Sequence, residues 1–292
     1  MKLNNVLSLF DGISCGQIAL NRAGVEYDNY FASEVDRHAI QVTQKNYPNT
    51  IQIGNVTEVR ENNLPKIDLL IGGSPCQGFS FAGKGLNFND PRSRLFFEFV
   101  RILKETKPLY FLLENVKMKK EYSDFISDII GINPVEINSS SFSMQNRKRL
   151  YWTNIPILPF NDVNEDFDGY LYRLGHGYVK DEIKFFKKYP SLAAQSPATK
   201  YRIVIDLHKA FKSLQTGNLN ALRKGNIITR SATPEECEKY QTLPNSYTSL
   251  LKKNQRYKCI GNGWTVEVIS HIFKGMLIDS QISSKKYLTS MT

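Results

Sequence analysis

The chain has 292 residues, 41% hydrophobic and 23% charged, and 38 Lys and Arg against 28 Asp and Glu give it a formal net charge of +10. That length suits one large α/β domain, or a large domain with a small one, and the composition excludes a disordered or fibrous chain. No apolar run reaches the roughly 18 to 20 residues of a membrane span, and the opening "MKLNNVLSLFDG" lacks a signal-peptide plan, so a cytoplasmic protein without a membrane partner is expected.

From the start, "NVLSLFDG" reads as a strand that stops at Gly12, and "CGQIALNRAG" has helical spacing up to Gly24. "YFASEVD" is a second strand, "RHAIQVTQKNYP" a second helix and "IQIGNV" a third strand. Then come a fourth strand, "IDLLIGG", a helix, "SRLFFEFVRILKET", and a fifth strand, "PLYFLLENV". This alternation predicts a parallel sheet covered on both faces, as the nearly continuous apolar strands require. Ligand sites in such sheets form at the carboxyl ends of the strands.

From about residue 156 to 229 the pattern weakens, which predicts a separate small domain of irregular or β structure. The stretch mixes Tyr and Gly with Arg173, Lys180, Lys187, Lys188, Lys200 and Arg202, a composition suited to phosphate contacts. "TPEECEKYQTLP" resumes as a helix, with Thr233 as N-cap, Pro234 in the first helical position and Glu236 three residues after the cap. "GNGWTVEVISHIFKGML" is a turn into an apolar helix, and the tail "SSKKYLTSMT" reads as frayed. The expected division is 1–155, 156–229 as an inserted domain, and 230–292 completing the first.

The four cysteines, Cys15, Cys76, Cys237 and Cys259, form no CxxC pair, and the histidines stand at no zinc-ligand spacing from them. No metal site or disulfide framework is expected, and a free thiol stays available for chemistry. The positive balance suits a polyanionic partner, because cations displace condensed counterions from nucleic acid.

Chemistry-bearing residues fall at strand ends. "FDGISCG" is a Gly-bearing turn that lets a nucleotide-like ligand approach the backbone. Glu34 ends the second strand, where a carboxylate can accept ribose hydroxyls, and Asn55 follows the third, where an amide can read an adenine edge. Cys76 sits in "GGSPCQGFS", stiffened by Pro75. A buried cysteine is most often inert packing. Glu114 in "LLENV", at the end of a neighbouring strand, alters that reading, since a thiolate beside a proton-holding carboxyl suits covalent catalysis on a polarised ring. In "QNRKR", Arg147 and Arg149 fall at alternate positions of an apparent strand, so both should face one side and could clamp a phosphate or a carbonyl oxygen. The loop "QGFSFAGKGLNFNDPRSR" is rich in Gly and carries Lys84, Arg92 and Arg94.

In order, "FDGISCG", "SEV", "GNV", "GGSPCQGFS", "DPRSRLFFEFVRIL", "LLENV", "QNRKRLYW", "RSATPEECEKYQTLP" and "GNGWTVEVI" resemble the DNA cytosine-5 methyltransferase family over nearly the whole chain. The first, fourth and last look especially like the catalytic domains of animal de novo DNA methyltransferases and their phage and bacterial relatives. The resemblance implies a Rossmann-like, S-adenosylmethionine-dependent methyltransferase sheet with a small target-recognition domain inserted. It implies Cys76 as the nucleophile at cytosine carbon 6, Glu114 at ring nitrogen 3 and the exocyclic amine, Arg149 at the base oxygen and Arg147 in support. The cofactor would be surrounded by Phe10, Asp11, Gly12, Ile13, Ser14, Glu34, Val35, Asn55, Val56, Pro75 and Leu95, with Asn262, Gly263 and Trp264 from the far end. Ser80, Lys84, Arg92, Arg94 and Arg230 would contact DNA.

The partner implied is double-stranded DNA, bound by a monomer in a bacterial or phage-infected cell, with a cognate restriction endonuclease as a candidate companion. Two departures stand out: Ser14 replaces the family's second glycine, and Asn55 its usual Asp. Three other readings compete. The family's tRNA-acting branch reads Pro-Pro-Cys-Gln-Pro-Phe-Thr where this chain has Ser-Pro-Cys-Gln-Gly-Phe-Ser. A catalytically silent DNA-binding paralogue would have no need of Cys76, Glu114, Arg147 and Arg149 together. An NAD-binding Rossmann enzyme would carry GxGxxG, which is absent.

Overall fold

The computed structural model describes residues 1–74, 91–163, 165–175, 178–194, 200–224 and 226–289, of which 91–93 and 281–289 are described by their backbone. The chain divides into two compact units: 1–138 with 148–161 and 266–292, and 139–147 with 162–265. The first carries β1 (Lys2–Leu9), α1 (Cys15–Ala23), β2 (Glu26–Ser33), α2 (Arg37–Asn46), β3 (Ile51–Gln52), β4 (Leu69–Gly72), α3 (Pro91–Thr106), β5 (Tyr110–Val116), α4 (Lys120–Ile130), β6 (Val135–Asn138), β8 (Lys148–Thr153) and α9 (Val266–Thr289). The second carries β7 (Gln145–Asn146), β9 (Gly169–Arg173), β10 (Glu182–Phe186), β11 (Tyr189–Pro190), β12 (Tyr201–Val204), α5 (Leu207–Gln215), α6 (Leu219–Arg223), β13 (Thr229–Arg230), α7 (Pro234–Tyr240) and α8 (Lys253–Asn262).

The first unit is built on a sheet of order β3-β2-β1-β4-β5-β8-β6. The five strands from β3 to β5 are parallel, while β8 runs antiparallel to both β5 and β6. The apolar runs of β4 and β5 are buried because helices cover both faces. Strand order reverses at β1, which has β2 on one side and β4 on the other, the switch point at which such sheets bind ligands. The register levels the carboxyl ends: Leu9 pairs with Ser33 and with Gly72, and Gly72 with Leu113. At Gly72 an added Cβ would lie 3.0 Å from both the Leu9 carbonyl oxygen and the Phe99 ring. A side chain there would crowd α3 against the strand end.

Beneath the sheet Leu7, Leu9, Leu70, Phe96, Phe99, Leu113 and Trp152 form one buried cluster. On the other face α9 packs on α1, with Val268, Ile269, Ile272 and Phe273 buried. An Arg22–Glu267 ion pair of 2.7 Å and a 2.8 Å hydrogen bond from the Tyr110 hydroxyl to Asp279 hold α9 in place. Helix α1 stops at Gly24 in the left-handed conformation, as its sequence predicts, and Asp36 caps α2 by accepting from the His38 N–H at 2.9 Å.

Some elements differ from the sequence reading. The third strand shrinks to two residues, because Asn55 turns the chain into a 3₁₀ helix over Val56–Glu58. Helix α4 was hidden by its mixed polarity, and the tail read as frayed continues α9 to Thr289.

The second unit holds a four-stranded antiparallel sheet, β10-β9-β12-β13, and a β7–β11 pair. The inserted stretch, read as irregular or β, also carries α5 and α6, which pack Ala210 and Leu222 against Tyr172. The Tyr172 hydroxyl donates to Asp181, which also pairs with Arg223 at 2.7 Å. Helix α7 has the expected capping box of Thr233 and Glu236. It sits with α8, where Arg256 pairs with Glu238 at 2.9 Å and the Tyr257 hydroxyl donates to the Ala232 carbonyl at 2.7 Å. Residues 230–265 therefore belong to the second compact unit. Among the described residues, no helix is long and apolar enough to cross a membrane.

Candidate active site

At the carboxyl end of β1 the chain takes a left-handed conformation at alternate residues: Phe10 at φ 57°, Gly12 at 60° and Ser14 at 60°. An added Cβ on Gly12 would meet only the Phe10 carbonyl oxygen, at 4.0 Å, so the backbone there faces open space. Glu34, from the end of β2, braces this turn. One of its oxygens accepts the Gly12 N–H at 2.8 Å, and the other accepts the N–H groups of Val35 at 2.7 Å and Asp36 at 2.8 Å. A carboxylate has about four lone-pair sites, so Glu34 retains roughly one for a ligand hydroxyl. Val35 is 71% exposed, an apolar surface beside that carboxylate. Asn55 accepts the Thr57 N–H at 3.1 Å, which fixes its side-chain oxygen, while Val56 is buried in the core.

Asp11 and Ile13 point the other way. Ile13 is buried, and Asp11 accepts from the Tyr30 hydroxyl at 2.8 Å. Burial pushes the Asp11 carboxyl up to about 6, against the hydroxyls of Ser8, Tyr30 and Ser14, which favour its charged form.

The neighbouring strand ends carry the second half of this site. Glu114, on β5, is 8% exposed, and Arg149, on β8, brings its Nε to 2.8 Å from Glu114 Oε1. The antiparallel register pairs Glu114 with Tyr151 and Val116 with Arg149, which places the two side chains on one face. Asn115, also buried, points to β4: its Nδ2 donates to Ser74 Oγ at 3.2 Å. Asn115 was not singled out in the sequence. A polar residue inside an otherwise apolar strand was the available signal. Pro75, Cys76, Ser80 and Lys84 lie outside the described residues, beginning directly after Ser74. In α3, Arg94 is exposed and Leu95 packs half-buried against the core, and Arg92 falls in the first turn.

The expectation that Arg147 and Arg149 share one strand face is corrected. β7 ends at Asn146 and β8 begins at Lys148, so Arg147 interrupts the strand, and the two arginines belong to different units. Arg147 is 4% exposed and donates to the carbonyls of Leu192 at 3.0 Å, Gly261 at 3.4 Å and Gly263 at 3.1 Å. Gln241 donates to the same Gly263 carbonyl at 3.1 Å. These bonds hold the turn of Asn262, which is exposed, Gly263, which is buried, and Trp264, which is half-buried.

Several basic residues of the second unit are engaged internally. Arg230 makes a two-pronged pair with Glu236 at 2.6 and 2.7 Å, which raises its pKa. Arg202 is buried and donates to Thr229, Arg173 pairs with Glu182, and Lys187 and Lys188 pair with Asp166. Lys180, Lys184 and Lys200 are exposed. A cavity of about 730 Å³ lies at the amino ends of β1 and β2, lined by Tyr27, Tyr47 and Asn21, at the opposite end of the sheet from Glu34.

A doubly wound sheet with polar residues at the carboxyl ends of β1, β2, β4 and β5 places a candidate ligand site at its switch point. The C-5 cytosine-specific DNA methylase family model matches residues 4–127 and 178–277. The chain belongs to that family. It is 38% identical over 164 residues to the orphan methyltransferase M.Rho11sI of Bacillus phage rho11s, a match covering 50% of this chain and 32% of that protein. It therefore spans about a third of that relative's length. Over 307 residues it is 27% identical to the type II methyltransferase M1.ScrFI of Lactococcus lactis subsp. cremoris, covering 93% of this chain and 77% of that one. Among solved structures, the Dnmt2 methyltransferase of S. pombe superposes with a TM-score of 0.70 at 18% identity, covering 95% of this chain and 99% of that one, a likeness of fold.

Proposed function

We propose that the chain transfers a methyl group from S-adenosylmethionine to carbon 5 of cytosine in double-stranded DNA. The observation that carries this reading is the Glu114–Arg149 pair at the end of β5, a carboxyl and a guanidinium side by side, one strand from the position that leads into Cys76. The residues around the β1 turn fit the cofactor: Gly12 offers open backbone, Glu34 an acceptor for a ribose hydroxyl and Val35 an apolar surface for an adenine ring. When bound there, S-adenosylmethionine supplies an electrophilic methyl group.

The target base must leave the stack, because carbons 5 and 6 are hidden in a duplex. Arg149 holds the base oxygen, and Glu114 holds a proton at ring nitrogen 3, so that electron density moves into the ring without leaving a full negative charge. The Cys76 thiolate adds to carbon 6, forming a carbon–sulfur bond and making carbon 5 nucleophilic. Carbon 5 would then take the methyl group as the donor's sulfur–methyl bond breaks, leaving the donor as a neutral thioether. Loss of its proton to a base then reforms the ring double bond and expels Cys76 as thiolate. Residues 156–229 read the target sequence, with exposed Lys180, Lys184 and Lys200 available to phosphates.

Incubation with labelled S-adenosylmethionine and either duplex DNA or tRNA tests the substrate, with Cys76→Ser as control. Label in DNA that is lost in the control is the expected result. Label in tRNA alone would replace this reading with RNA methylation. DNA containing 5-fluorocytosine should trap a denaturant-resistant adduct, since fluorine at carbon 5 cannot leave as a proton does.

A further inference from the structure

We propose that Gln17 is a positioning residue that holds Ser14 in its left-handed backbone conformation and thereby sets the shape of the cofactor turn. Ser14 has φ 60° and ψ 41° and is wholly buried. That conformation is costly for any residue with a Cβ and is ordinarily left to glycine. Its side chain makes no cap bond to α1, so the usual reason for a serine ahead of a helix is missing.

The Ser14 hydroxyl bonds to the Asp11 carboxyl, and a second contact comes from one turn down the helix. Gln17 is 3% exposed. Its Nε2 donates to Ser14 Oγ and to Thr50 Oγ1, each at 2.8 Å, and its Oε1 accepts from the Tyr27 hydroxyl at 2.8 Å. Both amide protons and the carbonyl are thus committed. The Ser14 hydroxyl is held between the Gln17 amide and the Asp11 carboxyl, and rotating the backbone out of the left-handed region would swing it away from both. Tyr27 lies on β2, which leads to Glu34, and Thr50 stands just ahead of β3, which leads to Asn55. One buried amide therefore joins the turn to the two strands that carry the other cofactor candidates. An apolar side chain here would take this partner from the buried Ser14 and Thr50 hydroxyls and from the half-buried Tyr27 hydroxyl.

Gln17 reaches no part of the open side of the turn, so its effect on the reaction passes through Ser14. The inference rests on the cofactor reading above, and a double-mutant cycle tests it through equilibrium binding of S-adenosylmethionine, measured by calorimetry without turnover. Gln17→Leu is expected to weaken binding about tenfold, the scale of one lost buried hydrogen bond. In a Ser14→Gly background, where the turn adopts its conformation unaided, the same substitution is expected to cost less than about threefold, because the two residues are coupled. Faster amide hydrogen exchange over residues 12–14 in Gln17→Leu without cofactor is the second expected readout. Equal losses in both backgrounds, or no loss in the single variant, would overturn the role of Gln17 while leaving the cofactor reading intact. A wild-type protein that does not bind S-adenosylmethionine overturns both. Should Gln17→Leu not fold, Thr50→Val, which removes one of the three partners, takes its place in the same cycle with the same two outcomes.

Discussion

Asn115 Nδ2 donates to both Ser74 Oγ at 3.2 Å and the Ser74 carbonyl at 3.5 Å, both side chains buried, so this amide ties the end of β5 to the last described residue before Pro75 and Cys76. Glu114 and the segment leading to Cys76 are thereby held by neighbouring residues. Asn115→Ala is expected to cost about 1 to 3 kcal/mol of stability, because it also leaves Ser74 without that partner. Its turnover should fall further than stability alone explains, since misplacement of a reacting group is costly. Chemical denaturation and single-turnover methyl transfer measured together check this; unchanged turnover in a folded variant would detach Asn115 from the site.

Glu34 accepts three backbone N–H groups with two oxygens. Glu34→Gln puts an NH2 group against at least one of those donors and removes the charge. Affinity for S-adenosylmethionine is expected to fall by about 1.5 to 3 kcal/mol, the scale of a hydrogen bond to a charged group. Calorimetric titration that finds wild-type affinity would remove Glu34 from the cofactor site.

The buried Asp11 carboxyl, pushed up to about 6 from an ordinary 3.8, favours its neutral form in the folded chain. A raised carboxyl pKa means that the folded state gains relative to the unfolded one at low pH and loses that gain as pH rises through 4 to 6. Asp11→Asn cannot titrate. Its stability relative to wild type should therefore improve across that window, by about 3 kcal/mol in total from the two-unit shift. Urea melts of both proteins at pH 4 and pH 7 measure the change, and a gap that does not move with pH would contradict it.

Arg147 donates to three carbonyls within the second unit. Arg147→Met should cost roughly 3 kcal/mol and loosen the turn around Gly263, since the buried carbonyls lose their charged donor. Thermal melts and amide exchange over residues 259–265 check this. Turnover lost with stability and exchange unchanged would instead put Arg147 on the substrate.

The first five strands, helices α1 to α3 and the α7 cap were legible because their signals are local: apolar runs, Gly stops and a Thr-Pro-Glu-Glu start. Glu114 and Arg149 were both legible as candidates, but their pairing was not. It depends on the antiparallel register of β5 and β8, which no spacing within either strand encodes. The same limit applied to Arg230, read as a DNA contact, and Arg202, read as suited to phosphate, which are bound to Glu236 and Thr229. Gln17 left one usable trace, a polar side chain on the buried face of an otherwise apolar helix. Arg147 left none, because its partners Leu192, Gly261 and Gly263 lie far along the chain.

The packing of α9 on α1 has a kinetic consequence. Arg22 and Glu267, which join the two helices, stand 245 positions apart, so the apolar face of α1 is synthesised long before its cover exists. Loop closure over such a distance is entropically slow, and sheets with non-local pairing fold late. During synthesis the α1 face of the sheet should stay incomplete and prone to association until α9 emerges. The second unit's sheet, whose strands pair within residues 169–230, can close earlier.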